Sequence, residues 1–256
     1  MRAKIIVIGN EKGGTGKSTL AMHLAVQWLR QGKKVATMDL DGRQGTLSKY
    51  LENRKAFAER KHIDLPMPEH VRMTNISNEL LFLRSQLDRL RNNFDVIILD
   101  TPGADTALGS EAVFQADALV TPINDSLVDL DVLVTLEPQT LAIKGPSHYT
   151  ERLFSVLKKR TLMQKAPLKW YVVRNRMSPF KNKNRQAIDA LMPQLASKLR
   201  FTVLPSLTER VIFRELFLNG LTMLDLRENG LHYPLSMSHL AARQEVRLLA
   251  CQIPLV

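Results

Sequence analysis

Residues 5–19 read Ile5-Ile6-Val7-Ile8-Gly9-Asn10-Glu11-Lys12-Gly13-Gly14-Thr15-Gly16-Lys17-Ser18-Thr19. The apolar run at the start is typical of a buried strand, and the residues from Leu20 onward are typical of the first turns of a helix. A glycine-rich turn between a strand and a helix directs backbone N–H groups, and the positive end of the helix dipole, towards one point. The stretch therefore predicts a phosphate-binding loop.

The polar residues of this loop have separate expected tasks. Lys17 is expected to reach the terminal phosphates of a bound nucleotide, and the Ser18 hydroxyl is expected to ligate Mg²⁺. A tight turn without a ligand explains the glycines but not the Lys-Ser-Thr triplet that follows them. The predicted nucleotide contacts of the loop are Gly13, Gly14, Thr15, Gly16, Lys17, Ser18 and Thr19.

A second apolar run, 96–99, ends in Asp100 and is followed by Thr101-Pro102-Gly103. A strand of this kind places Asp100 at the carboxyl edge of a parallel sheet, beside the phosphate loop, where a carboxylate holds Mg²⁺ or its water. The turn that follows is expected to sense the terminal phosphate. Gly103 would permit close approach of the backbone.

Polar residues also follow three other apolar runs of the chain. Asp39 and Asp41 come at the end of the run 35–39, and alternation along a strand puts both on the same side, near the nucleotide. We expect Asp39 to be structural or to lie near the Mg²⁺ shell. Asn124-Asp125-Ser126 and Asn175 follow two more runs, and we expect both sets at the same edge of the sheet.

Strand and helix patterns alternate along the chain, which predicts an α/β fold with a mostly parallel central sheet and helices on both faces. We expect a single P-loop NTPase domain over residues 1–256. A leucine stripe at 80, 83, 87 and 90 predicts a helix that ends at Asn92, and the charged residues 48–64 predict an exposed helix. The predicted strands are Lys4–Ile8, Val35–Asp39, Val96–Asp100, Ala118–Ile123, Lys169–Arg174 and Phe201–Leu204.

Composition excludes several classes of protein. The 256 residues contain one cysteine, Cys251, which excludes a disulfide framework and a cysteine-ligated iron–sulfur cluster. The six histidines show no metal-binding spacing. No run reaches the roughly 18–20 apolar residues of a membrane span, and no signal peptide precedes the glycine-rich loop. We therefore expect a cytoplasmic protein.

The net charge of +11 is concentrated in one segment. Residues 151–200 contain thirteen Lys and Arg but only Glu151 and Asp189 as acidic residues, a difference equal to the charge of the whole chain. Like charges at this density repel one another unless an anionic partner neutralises them. A solvated basic face is the alternative, but the balance elsewhere in the chain favours a partner.

The phosphate loop departs from the common G-x-x-x-x-G-K-[ST] pattern, because Glu11 replaces its first glycine and Lys12 follows. A K-G-G-x-G-K-[ST] loop resembles the deviant Walker A motif of the ParA/MinD family of ATPases. The resemblance implies a homodimer in which Lys12 reaches across the interface to the partner's ATP, and Asp41 orients the attacking water. It also implies that Asn175 contacts the adenine. On this basis Lys12, Lys17 and Asp41 are the expected catalytic residues, and Ser18, Asp39 and Asp100 the expected Mg²⁺ residues, partly through water.

Later segments resemble the MipZ family of ParA-like ATPases in particular. They are residues 39–44, 124–126, 173–178, 209–217 and 238–245. The resemblance implies an ATP-driven monomer–dimer switch whose dimer binds DNA non-specifically and inhibits the tubulin-like division protein FtsZ. It further implies that the centromere-binding partition protein ParB recruits the monomer, so that the protein is nucleoid-associated and enriched near the cell poles.

Basic side chains are needed for non-specific contact with DNA phosphates. The candidates are Lys183, Arg185, Lys198, Arg200, Arg210 and Arg214. Three alternative functions share the nucleotide motifs: a ParA-type segregation ATPase, a MinD-like membrane-bound protein and a metabolic P-loop ligase. Residues 239–250 lack the basic amphipathic face that membrane binding requires.

Overall fold

The computed structural model describes residues 2–73, 76–178, 183–227, 231, 233–234 and 236–255, and only the backbone of residues 183 and 184. The strands are β1 (Lys4–Ile8), β2 (Val35–Asp39), β3 (Glu69–Arg72), β4 (Val96–Asp100), β5 (Ala118–Asn124), β6 (Val134–Leu136), β7 (Ile143–Pro146), β8 (Lys169–Asn175) and β9 (Thr202–Leu204). The helices are α1 (Lys17–Arg30), α2 (Thr46–Lys61), α3 (Glu79–Arg91), α4 (Ala107–Gln115), α5 (Leu127–Leu130), α6 (His148–Leu162), α7 (Lys183–Leu199), α8 (Ile212–Leu218) and α9 (Met237–Cys251).

Seven of these strands form one parallel sheet in the order β3-β2-β4-β1-β5-β8-β9. The short strands β6 and β7 pair with each other as an antiparallel hairpin. This arrangement confirms the predicted α/β fold with a parallel sheet. All six predicted strands are present, although β5 and β8 each extend one residue further and β9 begins one residue later.

Alternating side chains of the central strands pack on opposite layers of helices. Ile5 and Val7 of β1 belong to the core formed with α3, α4, α6 and α7. Ile6 and Ile8 belong to the core formed with α1, α2 and α9. Because both faces are covered, a continuous apolar run is the sequence pattern that these strands require.

The two predicted helices differ in how well the sequence describes them. In α3, Leu83, Leu87 and Leu90 are buried as predicted, and Asn92 caps the end of the helix. In α2, the prediction of an exposed helix is wrong on one face, where Tyr50, Arg54 and Phe57 are buried. Arg54 is fully buried because it pairs with Asp225, a partner too distant in sequence to be recognised.

Parallel pairing brings the predicted polar residues to one edge of the sheet, which we call the carboxyl edge. Asp39 and Asp100 are register partners, as are Asn124 and Asn175. The phosphate loop follows β1, which lies between β4 and β5. Among the described residues, no helix is both long and apolar enough to cross a membrane.

Candidate active site

The phosphate loop leaves the start of α1 open. Gly14 and Gly16 have φ of +73° and +86°, which a residue with a side chain rarely adopts. Gly16 precedes the helix, and no side chain of the described residues caps the first-turn N–H groups of α1. Asn10 braces the loop, because its Oδ1 accepts a hydrogen bond from Lys12 N at 2.8 Å and its Nδ2 donates to Pro122 O at 2.7 Å. The uncapped N–H groups are therefore available to an anion.

A cavity of about 240 Å³ lies in front of this loop. Its lining includes the predicted residues Lys17, Ser18, Asp41 and Asp100, which the fold brings together from the start of α1 and the ends of β2 and β4. Gly103 also lines it, and a Cβ built on Gly103 would lie 3.2 Å from Gly13 N, so the glycine allows the close approach expected of it. The lining residues that sequence reasoning missed are Gln44, Thr46 and Arg176.

Burial shifts the pKa values of the two charged groups at the base of this cavity. Burial lowers the pKa of Lys17, and the nearby carboxylates of Asp100 and Asp41 oppose the shift. Burial raises the pKa of Asp100 to about 7, opposed by a hydrogen bond from Ser18 and by the charge of Lys17. A buried carboxylate that is costly to ionise on its own is stabilised by a cation placed beside it.

The donors at this position suit Mg²⁺. Asp100 Oδ1 is buried and has no hydrogen-bond partner among the described residues. The Ser18 hydroxyl is hydrogen-bonded to the same side chain. Mg²⁺ is usually held by one or two protein oxygens together with substrate phosphates and water, so a Ser–Asp pair fits this ion.

The two carboxylates after β2 have different surroundings. Asp39 Oδ2 accepts hydrogen bonds from Ser48 N and Ser48 Oγ, both at 2.9 Å, and Asp39 Oδ1 accepts one from Asp41 N at 3.1 Å. Asp39 is fully buried and does not line the cavity, which favours the structural role over the Mg²⁺ role. Asp41 faces the cavity, and its Oδ1 accepts from Gln44 N at 3.0 Å.

A second cavity of about 290 Å³ continues from the first and shares Gly16, Thr19, Thr46 and Arg176 with it. Its apolar lining comes from α1, α8, α9 and the segment after β9, with Leu20, Leu207, Phe213, Phe217 and Val246. Such a lining suits a flat, largely apolar group attached to a phosphate chain.

Asn175, the predicted adenine contact, lies in this second cavity. Its Nδ2 donates to Thr15 O at 2.7 Å, so the amide joins the end of β8 to the phosphate loop. A Cβ on Gly16 would lie 2.3 Å from the same nitrogen, which shows how tightly the two segments pack. The amide donor is thus engaged with the loop, and contact with adenine stays a prediction.

Lys12 does not line the phosphate cavity of its own chain. Its Nζ lies 2.7 Å from Oδ1 of Asp129, a buried residue of α5, and also donates to Val128 O at 3.4 Å. The side chain of Lys12 is 38% exposed, whereas that of Asp129 is 7% exposed. In the single chain, Lys12 is therefore an ion-paired side chain at the surface beside the site.

The segment Asn124-Asp125-Ser126 supports the site without lining either cavity. Asp125 forms an ion pair with Arg174 of β8. Ser126 caps α5, since its Oγ accepts a hydrogen bond from Val128 N at 3.3 Å. The segment therefore fixes the short helix that carries Asp129.

The predicted DNA-binding residues do not form one patch on the described chain. Arg185, near the start of α7, donates to Ser178 O at 2.9 Å. Lys198 and Arg200 lie at the other end of α7, below the opposite edge of the sheet. The side chain of Lys183 lies outside the described residues.

The last two candidates lie beside the second cavity. Arg210 forms a two-point ion pair with Glu245, at 2.6 and 2.8 Å, and Arg214 lies 2.9 Å from Glu209. Arg210 is committed to Glu245, whereas the side chain of Arg214 is 71% exposed. DNA binding by these residues stays a prediction, and the structure favours Arg214 over Arg210.

The sequence is similar to known proteins over most of its length. A protein-family model described as "ATPase MipZ" matches residues 4–256. The sporulation initiation inhibitor protein Soj of Bacillus subtilis is 27% identical over 160 residues, which are 52% of this chain and 63% of that protein. The maintenance of carboxysome distribution protein A of Gloeobacter kilaueensis is 29% identical over 57% of this chain and 60% of that protein. The matches thus span about three fifths of the length of these curated relatives.

Solved structures resemble the fold over nearly the whole chain. The ATP complex of a Cyanothece McdA variant superposes with a TM-score of 0.68 at 19% identity, covering 98% of this chain and 97% of that one. The MinC:MinD cell division protein complex of Aquifex aeolicus gives a TM-score of 0.61 at 19% identity, covering 98% and 95%. At these identities the likeness shows a shared fold.

Proposed function

The chain belongs to the ATPase MipZ family, and we propose that it is an ATP-dependent dimerisation switch that regulates where the cell-division ring forms. The observation that carries the proposal is the pair of joined cavities at the carboxyl edge, one polar and one apolar, with Lys12 outside both. The first cavity suits a triphosphate, and the second suits a nucleoside base. Lys12 is therefore placed to serve a different nucleotide from the one its own chain binds.

The residues of the first cavity account for ATP hydrolysis. Backbone N–H groups of the phosphate loop and of the start of α1 bind the phosphate oxygens, and Lys17 neutralises their charge. Asp41 accepts a hydrogen bond from the attacking water and orients it towards the terminal phosphate. Since phosphoryl transfer depends mainly on positioning and charge neutralisation, these groups supply the chemistry that the reaction needs.

Ser18 and Asp100 are the residues that would hold Mg²⁺ in this site. When bound, the ion screens the phosphate charges that would otherwise repel the attacking oxygen. The observation that supports this assignment is Asp100 Oδ1, which is buried and has no hydrogen-bond partner within the described ranges. Asp39 acts indirectly, because its Oδ1 accepts a hydrogen bond from the backbone N–H of Asp41.

Lys12 couples the nucleotide to dimerisation. It is paired with Asp129 in the single chain, and in the dimer it would exchange this carboxylate for the more highly charged triphosphate of the partner subunit. The exchange is favourable only when ATP is present, because ADP lacks the terminal phosphate. Association and nucleotide state thereby become linked.

The remaining parts of the function follow from family membership and the charge of the chain. The ATP-bound homodimer would bind DNA non-specifically, because two basic surfaces held together bind more tightly than one. The dimer would inhibit polymerisation of FtsZ, and ParB would recruit the monomer near the poles. The protein would then be nucleoid-associated, with its highest concentration away from midcell.

Sizing the protein in solution tests the switch. Light scattering on a sizing column should give a monomer with ADP and a dimer with a non-hydrolysable ATP analogue. The Lys17→Ala variant should remain monomeric in both because it no longer binds nucleotide. The Lys12→Ala variant should bind the analogue normally and still remain monomeric. Equal sizes with ADP and the analogue would contradict the proposal.

The division function needs a separate experiment, since a ParA-type segregation ATPase would also dimerise with ATP. Purified FtsZ should form shorter filaments when the analogue-bound dimer is added, as measured by electron microscopy. The Lys12→Ala variant is the matched control, because it should bind the analogue without dimerising. Filaments of unchanged length would favour the segregation function.

A further inference from the structure

Two adjoining cavities lie at the edge of the sheet opposite the nucleotide, where the parallel strands begin. The smaller, of about 360 Å³, lies below the starts of β1 and β5. The larger, of about 780 Å³, lies between the ends of α6 and α7. Because both are lined by Arg160, Lys165 and Ala166, they form one continuous depression, which we call the amino-edge groove.

The amino-edge groove is strongly basic. Five Lys and Arg residues line the smaller cavity, and Asp117 is the one carboxylate among its described lining residues. Asp117 Oδ2 already accepts a hydrogen bond from Ile5 N at 2.8 Å. Lys198 and Arg200 add two more positive charges in the larger cavity, whose described lining contains no carboxylate.

The two shared cations have no salt bridge within the described residues, although the charge of Asp117 acts on Arg160 and that of Glu111 acts on Lys165. Lys165 Nζ donates to Gln115 Oε1 at 3.0 Å and lies over the ring of Phe114. Within the described residues, neither Arg160 nor Lys165 forms an ion pair with a carboxylate. Arg160 is 5% exposed and donates to Phe114 O at 2.6 Å and Ala166 O at 2.7 Å, and its Nε has no hydrogen-bond partner in the described part of the chain. Burial lowers the pKa of Lys165, and the nearby charges of Arg160 and Arg91 add to this effect. Crowded, partly buried cations of this kind are stabilised by an added anion.

The larger cavity is also apolar, which restricts the kind of anion that fits. Its lining includes Leu157, Leu168 and Leu199, and the ring of Phe154 is 38% exposed at its side. A nucleic-acid backbone would meet the charges but leave these apolar groups uncovered, and Trp170 is too buried to stack on a base. A simple inorganic anion would not fill the volume. A ligand with carboxylates next to apolar side chains matches both halves of the groove.

We propose that the amino-edge groove binds a short acidic segment of a partner protein, with its carboxylates near Arg160 and Lys165 and its apolar side chains between α6 and α7. The site is separate from the nucleotide, because α7, about 25 Å long, spans the distance from one edge of the sheet to the other. Lys198 and Arg200 then contact the partner protein, and DNA binding is left to basic residues nearer the carboxyl edge.

Selection from a random library tests the chemistry of the ligand without assuming its identity. A phage library of twelve-residue peptides is panned against the whole protein, with counter-selection against a Lys198→Glu/Arg200→Glu variant. Enriched peptides should carry several Asp or Glu beside Leu, Phe or Trp, and should bind the charge-reversal variant at least about tenfold more weakly. The Lys55→Glu/Lys61→Glu variant, with the same charge change on exposed positions of α2, should bind them normally.

A Phe154→Ser variant tests the apolar half, since this partly exposed ring can be removed without opening the core, and it should weaken binding about tenfold. Thermal unfolding confirms that each variant is folded. Three results would overturn the proposal: enrichment without an acidic and apolar bias, equal binding to the charge-reversal variant, or displacement of the peptides by a 20-base-pair duplex. The last result would identify the groove as a nucleic-acid surface.

Discussion

At the scale of single residues, the most consequential contact is the ion pair between Lys12 and Asp129. Asp129 is buried and Lys12 is partly exposed, so departure of the lysine would leave a buried carboxylate without its cation, which costs free energy. The pair therefore sets the concentration of ATP at which the dimer begins to form. Its strength decides how much ATP the switch requires.

Asp129→Asn should lower this threshold. Without the carboxylate, Lys12 is no longer held by its own chain, so the dimer should form at severalfold lower concentrations of the ATP analogue. Analytical ultracentrifugation over a range of analogue concentrations measures the shift. Asp131→Asn, two residues away and exposed, is the matched control and should leave the midpoint unchanged. A midpoint that rises in Asp129→Asn would show that Asp129 assists the dimer.

Asp41→Ala should separate hydrolysis from association. The variant lacks the water-orienting carboxylate but keeps Lys12, Lys17 and the phosphate loop, so ATP should still induce the dimer. Its turnover should fall about 100-fold or more, as is usual when one positioning or proton-accepting group is lost. Phosphate release and light scattering on the same sample measure both properties. Hydrolysis at the normal rate would remove the role assigned to Asp41.

His23 gives the fold a specific response to acid. Its Nδ1 donates to Thr19 O at 2.8 Å, its Nε2 accepts from Met223 N at 3.2 Å, and burial lowers its pKa to about 4. The unfolded chain therefore binds a proton at higher pH than the folded chain does. The contribution of His23 to the free energy of unfolding should fall by about 3 kcal/mol between pH 6.5 and 4.

The raised pKa of Asp100 has the opposite effect on the free energy of unfolding over a similar pH range. His23→Gln must therefore be compared with the wild type at each pH. Urea unfolding at pH 7, 5.5 and 4 should show the wild type losing stability relative to the variant. Curves that stay parallel would show that the imidazole is not held neutral.

Sequence reasoning found the residues of this site that belong to a local motif and missed those brought by tertiary structure. Lys17, Asp41 and Asp100 belong to motifs at the carboxyl ends of strands and line the cavity as predicted. Arg176 also follows a strand, but its proximity to the phosphate loop depends on the pairing of β8 with β5. Asp129, the partner of Lys12, lies in a four-residue helix that has no sequence pattern of its own.

At the scale of elements, α2 is held against the end of α8 by backbone contact as well as charge. Arg54 makes a two-point ion pair with Asp225 at 2.7 and 2.9 Å and donates to Gly220 O at 2.9 Å. A Cβ on Gly220 would lie 1.9 Å from Arg54 N, so the two backbones touch. This contact fixes α8, which lines the apolar cavity.

Gly220→Ala should therefore cost much more stability than Gly32→Ala. Both glycines follow a helix and have positive φ, +63° and +76°, but a Cβ on Gly32 would meet nothing within 4 Å. Gly32→Ala should lower the free energy of unfolding by about 1–2 kcal/mol through backbone strain alone. Gly220→Ala should lose about 2 kcal/mol more from the clash. Urea unfolding of the two variants measures the difference, and equal losses would contradict the backbone contact.

The strands that could be predicted are those whose physical role is visible in the sequence. Strands buried on both faces must be continuous apolar runs, so the predicted bounds of β1, β2 and β4 are correct. The edge strand β3 buries only Val71 fully, and β6 and β7 have three and four residues. These elements are stabilised by pairing with neighbouring strands. They lack a local sequence pattern by which they could have been predicted.

At the scale of the whole molecule, the excess positive charge is divided between the two edges of the sheet. Residues 151–200 are contiguous in sequence, but α6 and α7 each run from one edge to the other and distribute the charge along their length. The total charge can be read directly from the sequence, but its placement on the folded surface cannot. That residues 1–256 form one domain also stays a prediction.

Salt dependence tests whether the charge near the carboxyl edge binds DNA. The logarithm of the affinity of the analogue-bound dimer should fall linearly with the logarithm of salt concentration, by about 0.9 for each phosphate neutralised. Arg185→Ala and Arg214→Ala should each weaken binding and reduce the slope by about 1 per contact removed. Arg60→Ala, on α2, should leave the slope unchanged. Fluorescence anisotropy with two unrelated duplexes measures the slopes, and a flat response would exclude this mode of binding.

Asp39 holds two separate pieces of chain with one side chain, since it accepts hydrogen bonds from the backbone at both position 41 and position 48. The intervening turn is therefore closed into a ring whose ends cannot move apart independently. Replacing Asp39 with alanine would release the Asp41 carboxylate and the first turn of α2 together. Loss of activity in such a variant would report the opening of this ring, and it could not by itself identify a ligand of the metal.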